Sequence, residues 1–433
     1  MTVKQAASAK GLFKSRICGF LIVTVLLVCG AHAVRQFWAG NPGDFGYFYR
    51  AASAMWKGED IYLAAQGHYI YPPFLAFVFQ PLTLLSERTA ATVWTAISAA
   101  LILIATLIAS REAAARWPRL ADEGDVSLPW VIATAVTCLM VDKIRGTFAL
   151  GQTDCLTLLG FTCVLRWMER KPVLAGLAVG ASANVKYLTL ICVPYFLVKR
   201  NYKAAFAAIL AFLCFLFLPG IEIGYEKLGN YLASSVGGLR RLIATAPAPI
   251  HVFHVTWDRS ISLTSSVFRV TRSAALPDSA AVILVLLLFG GIMTAIVSIG
   301  RRHGVSLFRP LKTGCDPVTH IEWAVVIFLA VAFSPQSTAR HMILLLLIYT
   351  VAIAIFLNQT ETTSRILLGS ALALVVAALS LPFSIIGLAR QRTNWRVFGG
   401  ASWCVLILVL VTVWTGTRAI GGKSKNKMPD FRP

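Results

Sequence analysis

The sequence contains few charged residues, and few of these are acidic. Only 14% of its 433 residues are charged, and 19 acidic residues stand against 40 lysines and arginines. A soluble domain has about 25% charged residues. This composition therefore argues against a soluble enzyme and for a protein that meets lipid.

Several familiar patterns are also missing. No CxxC pair and no cluster of histidines and cysteines occurs, which argues against a zinc site. Eight of the nine cysteines lie in apolar runs and only Cys315 lies in a loop, so we interpret them as small apolar packing residues. No alternating strand pattern, tandem repeat or soluble basic domain is present. An outer-membrane barrel and a nucleic-acid partner are therefore not expected.

Apolar runs of membrane-spanning length recur along the whole chain, and 57% of the residues are hydrophobic. This pattern predicts an all-α polytopic membrane protein with about twelve transmembrane helices. We expect a single membrane domain over residues 1–420, followed by a disordered basic tail over 421–433. An alternative for the first run, which ends in Ala31-His32-Ala33, is a cleaved signal peptide. The predicted spans are 17–37, 72–86, 89–110, 129–141, 153–168, 173–198, 203–220, 280–300, 321–336, 341–357, 366–388 and 399–417.

The basic residues predict which loops face the cytoplasm. The formal charge is +21, carried mostly by short loops and by the two ends, where lysines and arginines set topology and meet anionic lipids. The twelve-span scheme puts most basic clusters inside and the loop 38–71 outside. Arg166, Arg170 and Lys171 fall outside in this scheme, against the rule.

Two larger loops are predicted to share the outer face. The first, 38–71, is polar and rich in aromatic and turn residues, with Asp44 near its start. The second, 221–279, is long enough that we expect amphipathic helices lying on the membrane. An acid held at the water interface of a membrane protein is a candidate for chemistry. We therefore expect an enzyme that acts at a membrane face.

A set of motifs over residues 20–345 resembles glycosyltransferase family 87. Asp154, Asp258, Thr338 and Arg340 depart from the residues usual in that family. The resemblance is carried, in chain order, by Asp44 with Tyr47 and Tyr49; Lys57-Gly58-Glu59-Asp60-Ile61-Tyr62; Tyr71-Pro72-Pro73 with Pro81-Leu82; Gly151-Gln152-Thr153-Asp154; Ala175-Gly176, Gly180 and Lys186; Ser260-Ile261-Ser262 with Arg269; and Ser334-Pro335-Gln336-Ser337 with Arg340-His341.

The resemblance implies a type C membrane glycosyltransferase fold and a polyprenyl-phosphate sugar as donor, most simply mannose. It implies an inverting hexosyltransferase at the outer face of a bacterial inner membrane. The acceptor would be a lipid-linked or envelope glycan. Nothing in the sequence addresses the oligomeric state. Because no side-chain cluster demands a metal, we expect turnover without a metal or other cofactor.

Such a reaction needs a proton acceptor for the attacking hydroxyl, and Asp44 is the candidate general base. A carboxylate in this role contributes ~10²–10⁴-fold. The alternative is that Asp44 caps a helix starting near Phe45. Glu59 and Asp60 follow Gly58 in a turn context, and we expect them to hold the loop.

The leaving lipid phosphate needs fixed positive charge at the membrane face. For Arg340 the alternative is snorkelling to headgroups, and for Arg240 and Arg241 it is an amphipathic helix on anionic lipid. Lys186 lies in an apolar run and either meets phosphate or pairs with Asp142 or Asp154. The candidate catalytic residues are Asp44 and His341, and the candidate donor-binding residues are Gln152, Lys186, Arg240, Arg241, Arg259, Arg340, Tyr49 and Tyr62.

Other aromatic and histidine residues have two interpretations. Tyr47, Tyr69 and Tyr71 can stack on sugars or belong to the interfacial aromatic belt. His251 and His254 can share a metal or simply lie at the interface. Two other functions fit the composition. One is a transporter or lipid flippase with Lys186 and a buried acid as its site. The other is a non-catalytic scaffold, in which the outer arginines and Asp44 would not converge.

Overall fold

The computed structural model describes residues 3–117, 126–240, 250–311, 314–380 and 395–425. These residues form helices and loops, with no strand among them. The α-helices are α1 Val3–Trp38, α2 Phe45–Trp56, α3 Ile61–Ala64, α4 Pro73–Phe79, α5 Glu87–Arg116, α6 Leu128–Leu139, α7 Val141–Ala149, α8 Asp154–Trp167, α9 Pro172–Ala183, α10 Cys192–Val198, α11 Tyr202–Phe217, α12 Gly220–Ile223, α13 Tyr225–Arg240, α14 Leu263–Ser273, α15 Asp278–Arg302, α16 Pro317–Ala332, α17 Leu345–Asn358, α18 Thr362–Ser380 and α19 Gly400–Lys425. Short 3-10 helices cover Gln80–Leu84, Tyr187–Ile191 and His341–Leu344.

Within the described ranges, seven helices are long and apolar enough to cross a membrane. The prediction of an all-α polytopic membrane protein is therefore confirmed, but twelve full spans are too many. Five further apolar helices are shorter, and they correspond to predicted spans. Helix α19 continues to Lys425, into the segment expected as a disordered tail, and the rest of that tail lies outside the described residues.

The predicted span 72–86 does not pass from one end of the bundle to the other. At its start, the ring of Tyr71 lies 5.3 Å from the ring of Phe48. At its end, the Tyr49 hydroxyl donates to the Leu85 carbonyl over 2.8 Å. Phe48 and Tyr49 are neighbours in α2, so the segment returns to the end where it began. Its composition is apolar enough for a span, but Pro73 starts the short helix α4 and Pro81 lies in the 3-10 helix that follows, so the segment forms a short helical hairpin.

The predicted span 173–198 is likewise broken. Helices α9 and α10 are joined through residues 184–191, where Lys186 leaves the helical conformation. After the second helix, the Asn201 side chain donates to the Met168 carbonyl, just before the first helix, over 2.8 Å. The pair therefore starts and finishes at the same end of the bundle.

These two corrections settle the charge conflict in the twelve-span scheme. Helix α5, roughly 45 Å long at 1.5 Å per residue, joins the two ends of the bundle. Its Glu87 lies 3.8 Å from Arg50 in α2, and its Arg116 pairs with Glu169 at 2.5 Å. We call these the Asp44 end and the Arg116 end. The basic run 166–171 thus lies at the Arg116 end, together with Lys199, whose carbonyl accepts from the amide of Leu311 at 3.0 Å.

Helices α9 and α11 pack through small residues, as membrane helices commonly do. A Cβ added to Gly176 would lie 2.6 Å from the Ala204 carbonyl oxygen and the Ala207 Cβ. At Gly180 it would lie 2.5 Å from the Ala211 Cβ and the Phe212 amide nitrogen. The two backbones therefore approach as closely as glycine allows. This contact supports the bend that carries Lys186.

We predict that Gly180→Ala destabilises the protein, because the added methyl group must force α9 and α11 apart. Overpacking of this kind costs about 1–3 kcal/mol, which thermal unfolding in detergent would detect as a lower midpoint. Gly290→Ala is the matched control, since no atom lies within 4 Å of a Cβ at this helical glycine. Equal midpoints for the two variants would contradict the close packing.

Candidate active site

Two loops approach each other closely at the Asp44 end. The backbone amides of Asp44 and Phe45 both donate to the Leu150 carbonyl, at 2.9 and 3.2 Å. Gly43 and Gly151 have φ of +60° and +61°, a conformation that favours glycine. A Cβ on Gly43 would lie 2.8 Å from the Leu150 Cα, and one on Gly151 would lie 2.5 Å from the Phe45 Cβ. The glycines therefore allow the contact that brings Asp44 beside Gln152.

The Asp44 carboxylate is held by two side chains from distant parts of the chain. Its Oδ2 accepts from the Gln152 side-chain amide and from the Arg340 guanidinium. Helix α2 begins at Phe45, so Asp44 occupies the capping position, but its side chain makes no cap hydrogen bond. The carboxylate thus bonds Gln152 and Arg340 and not the amides of its own helix, so the capping alternative is not observed.

Arg340 is positioned by a loop that is pinned to the second large loop. The amide of Ile261 donates to the Ser337 carbonyl at 2.7 Å, and the Ser265 hydroxyl donates to the Pro335 carbonyl at 2.8 Å. The Ser337 amide donates to Ser260 Oγ at 3.2 Å. The Ser-Ile-Ser and Ser-Pro motifs therefore form one structural unit, and Arg340 extends from it to Asp44.

A buried polar layer lies beneath these residues. Lys186 Nζ bonds Asp154 Oδ2 at 2.7 Å, and their side chains are 8% and 0% exposed. Nζ also lies 5.9 Å from the centre of the Tyr71 ring. His341 Nδ1 accepts from the Thr338 amide at 3.1 Å, and the charges of Lys186, Asp154 and Arg340 act on its ring. Pairing of Lys186 with Asp154 is therefore observed, whereas Asp142 pairs with Lys143 at 2.8 Å.

A cavity of about 690 Å³ opens over this layer. That size is within the roughly 300–1,000 Å³ usual for ligand sites. Its lining combines charged and aromatic side chains, including Asp44, Arg259, Arg340, Arg396, Tyr47, Tyr71, Phe253, Trp257, His68 and His251. The arrangement offers a carboxylate, several cations and aromatic faces to one ligand-sized volume.

The predicted site residues divide into three groups. Asp44, Arg259 and Arg340 line the cavity, and Gln152, Lys186 and His341 lie in the layer that contacts or surrounds them. Of the other four, three are placed elsewhere. Tyr49 bonds Leu85, the Tyr62 hydroxyl bonds Ser235 at 2.6 Å, Arg240 is an exposed residue at the end of α13, and Arg241 lies outside the described residues.

Asp60 and Arg269 have structural contacts. Asp60 caps α3 by accepting from the amides of Tyr62 and Leu63 at 2.8 and 2.9 Å, which confirms its predicted part in holding the loop. Arg269 donates to the carbonyls of Trp257, Arg396 and Val397 at 2.7, 3.0 and 2.8 Å. Burial lowers the pKa of Arg269 to about 10, against the opposing charge of Asp258. Its donors are directed at protein carbonyls and not at the cavity.

Sequence reasoning missed the part of the cavity formed by His68, Phe253, Trp257 and Gln336. Two large aromatic residues four positions apart, Phe253 and Trp257, were the available signal. Across the described part of the chain, no group of three or more His, Cys, Asp or Glu side chains is placed to hold a metal ion. Independence from metal stays a prediction.

Comparisons with known proteins identify the family. The model of glycosyltransferase family 87 matches residues 69–311, more than half of the chain. A polyprenol-phosphate-mannose-dependent alpha-(1-2)-phosphatidylinositol mannoside mannosyltransferase of Mycolicibacterium smegmatis is 23% identical over 82% of this chain and 78% of its own length. A polyprenol-phosphate-mannose-dependent alpha-(1-2)-phosphatidylinositol pentamannoside mannosyltransferase of Mycolicibacterium smegmatis is 27% identical over 45% of this chain. The enzyme of that name from Mycobacterium tuberculosis is 28% identical, also over 45% of this chain.

The chain spans less than half the length of those last two relatives, 43% and 42%. No solved structure matches the chain, so the type C architecture stays a prediction. The family match covers more than half of the sequence, including Gln152, Asp154, Lys186 and the second large loop. The protein therefore belongs to glycosyltransferase family 87.

Proposed function

We propose that the protein transfers mannose from a polyprenyl-phosphate donor to a glycolipid acceptor. The names of its relatives suggest that this acceptor already carries mannose. The family and the relatives' names support the donor and the reaction class. The observation that carries the proposal is the contact between the carboxylate of Asp44 and the guanidinium of Arg340 at the cavity. A base and a phosphate-binding cation are both required, and here they lie side by side.

The proposed reaction is a single displacement. Asp44 accepts the proton of the acceptor hydroxyl as its oxygen bonds the anomeric carbon. The bond between that carbon and the phosphate oxygen breaks, and its electron pair leaves with the lipid phosphate. Because the nucleophile attacks opposite the leaving group, the anomeric configuration is inverted. Arg340 stabilises the negative charge that develops on the phosphate.

Arg340 has to release Asp44 for this to happen, because the guanidinium and the Gln152 amide already occupy Oδ2 of the carboxylate. The Arg340 side chain is 40% exposed and that of Asp44 is 21% exposed, so a ligand in the cavity reaches both. A lipid phosphate competes for the guanidinium. Binding of the donor would therefore free the base at the moment it is needed.

The buried layer supports this geometry. Gln152 orients the carboxylate through its amide, and its own Oε1 has no hydrogen-bond partner among the described atoms. Lys186 adds a positive charge beneath Tyr71 that Asp154 partly neutralises. His341 lies beside that pair. We propose Gln152 as a positioning residue, and Lys186 and His341 as groups that set the potential at the phosphate.

We further propose that the Asp44 end faces the exterior of a bacterial inner membrane. The Arg116 end carries the basic residues of the 166–171 run together with Lys199, Arg200 and the arginines near 301–309. Loops rich in lysine and arginine stay in the cytoplasm. With the Arg116 end in the cytoplasm, the cavity at the Asp44 end would face the exterior.

Asp44→Asn is expected to lower kcat by at least about 100-fold, the lower part of the range for a general base. The amide keeps the shape but cannot accept the proton, and it no longer competes for Arg340, so the donor KM should not rise. The assay is transfer from radiolabelled polyprenyl-phosphate mannose to octyl α-mannoside, with and without EDTA, which should not change the rate. Glu59→Gln, in the same loop, is the control. An unchanged rate in Asp44→Asn would exclude the assigned base.

Arg340→Gln is expected to raise the donor KM about 10- to 100-fold, since a hydrogen bond to a charged group contributes roughly 1.5–3 kcal/mol. The acceptor KM should change little. Arg272→Gln is the matched control, because Arg272 is an exposed arginine at the same end of the bundle. A rise confined to the acceptor KM would contradict the assignment of Arg340 to the donor phosphate.

Cysteine labelling of intact spheroplasts tests the orientation. In a variant that lacks the other cysteines, Lys57→Cys should react with a membrane-impermeant maleimide, because residue 57 is exposed at the Asp44 end. Cys315, exposed near Arg170 at the opposite end, should react only after permeabilisation. The reverse pattern would place the cavity in the cytoplasm.

A further inference from the structure

Two stacked rings form an exposed apolar face in the cavity that Asp44 and Arg340 line. The rings of Phe253 and Trp257 are 4.0 Å apart between centroids, and their planes differ by 4°. Phe253 is 48% exposed, and both residues line the same cavity as Asp44 and Arg340. We call this pair the aromatic platform. A large apolar face left open beside charged groups is typical of a ligand contact.

The platform is held from both sides. Arg269 and the Ser260 amide donate to the Trp257 carbonyl at 2.7 and 3.1 Å. The Gln336 side-chain amide donates to the Phe253 carbonyl, four residues before Arg340. These bonds connect the platform to the loop that carries Arg340, whose guanidinium contacts Asp44. A ligand therefore binds a surface that is already ordered, and this reduces the entropy that is lost on binding.

The chemistry of the platform suits a sugar ring. A hexose has faces of C–H groups, which pack against the negative face of an aromatic ring, and edges of hydroxyl groups. Arg259, His68 and His251 line the same volume and can bond those hydroxyls. Neither platform ring carries a charge that would bind phosphate.

The exposed fractions of the side chains indicate where each of the two substrates binds. Lys186 and Asp154 are 8% and 0% exposed and lie beneath the cavity, whereas the Phe253 ring is half exposed at its mouth. The donor phosphate needs the deeper positive charge. We propose that the aromatic platform binds the hexose ring of the acceptor and presents its hydroxyl to Asp44. This inference rests on the proposed function, of which it names the acceptor subsite.

Saturation-transfer NMR with methyl α-D-mannopyranoside and the full-length protein in nanodiscs tests the platform without any transfer. Trp257→Ala and Phe253→Ala should each weaken binding about tenfold, which corresponds to roughly 1.4 kcal/mol, while Trp257→Phe should retain most of it. Trp56→Ala is the control, since Trp56 is 63% exposed and does not line the cavity. Transfer assays with octyl α-mannoside should show a higher acceptor KM and an unchanged donor KM.

Undiminished mannoside binding in both alanine variants would overturn the platform as a sugar site. A rise in the donor KM alone would overturn it too, because the rings would then contact the polyprenyl chain. Platform-dependent binding with no transfer by the wild-type protein would support the sugar site and contradict the proposed function. The two inferences therefore fail separately.

Discussion

The contact between Asp44 and Arg340 joins residues that are 296 positions apart, and the organisation of the site depends on it. Charged groups at the end of an apolar bundle are costly unless they are paired or face a cavity. Here the pair does both, because its members line the same opening. The glycines at 43 and 151 bring the carboxylate into place, and the bonded serine loops bring the guanidinium. If either loop were displaced, Asp44 and Arg340 would not contact each other.

Much of this arrangement could be predicted from the sequence one residue at a time. Asp44, Lys186, Arg340 and His341 were each predicted from their unusual place beside apolar runs, and Gln152 from the resemblance to the family. Their grouping could not be predicted, because it depends on which loops meet. The span count failed for a related reason. Hydropathy measures how apolar 72–86 and 173–198 are, but only contacts such as Tyr49 with Leu85 and Asn201 with Met168 show that each segment turns back.

Tyrosine and arginine candidates illustrate the same limit. Tyr62 and Arg269 carry groups that suit a ligand, yet their polar atoms are used within the protein, by Ser235 and by backbone carbonyls. Phe253 and Trp257 carry no charged group, yet they line the cavity. A residue type indicates what a side chain can bind. Whether it is free to bind a substrate depends on the groups already bonded to it.

The competition for Arg340 has a consequence for the order of events. If a lipid phosphate displaces the Asp44 carboxylate from the guanidinium, then donor binding and release of the carboxylate are linked, and linkage is reciprocal. An empty site holds this carboxylate against the guanidinium, so its Oδ2 is already occupied. Only a site that contains the donor has both a free carboxylate and a stabilised leaving group. The ion pair would thus order the steps, with donor binding ahead of proton transfer from the acceptor hydroxyl.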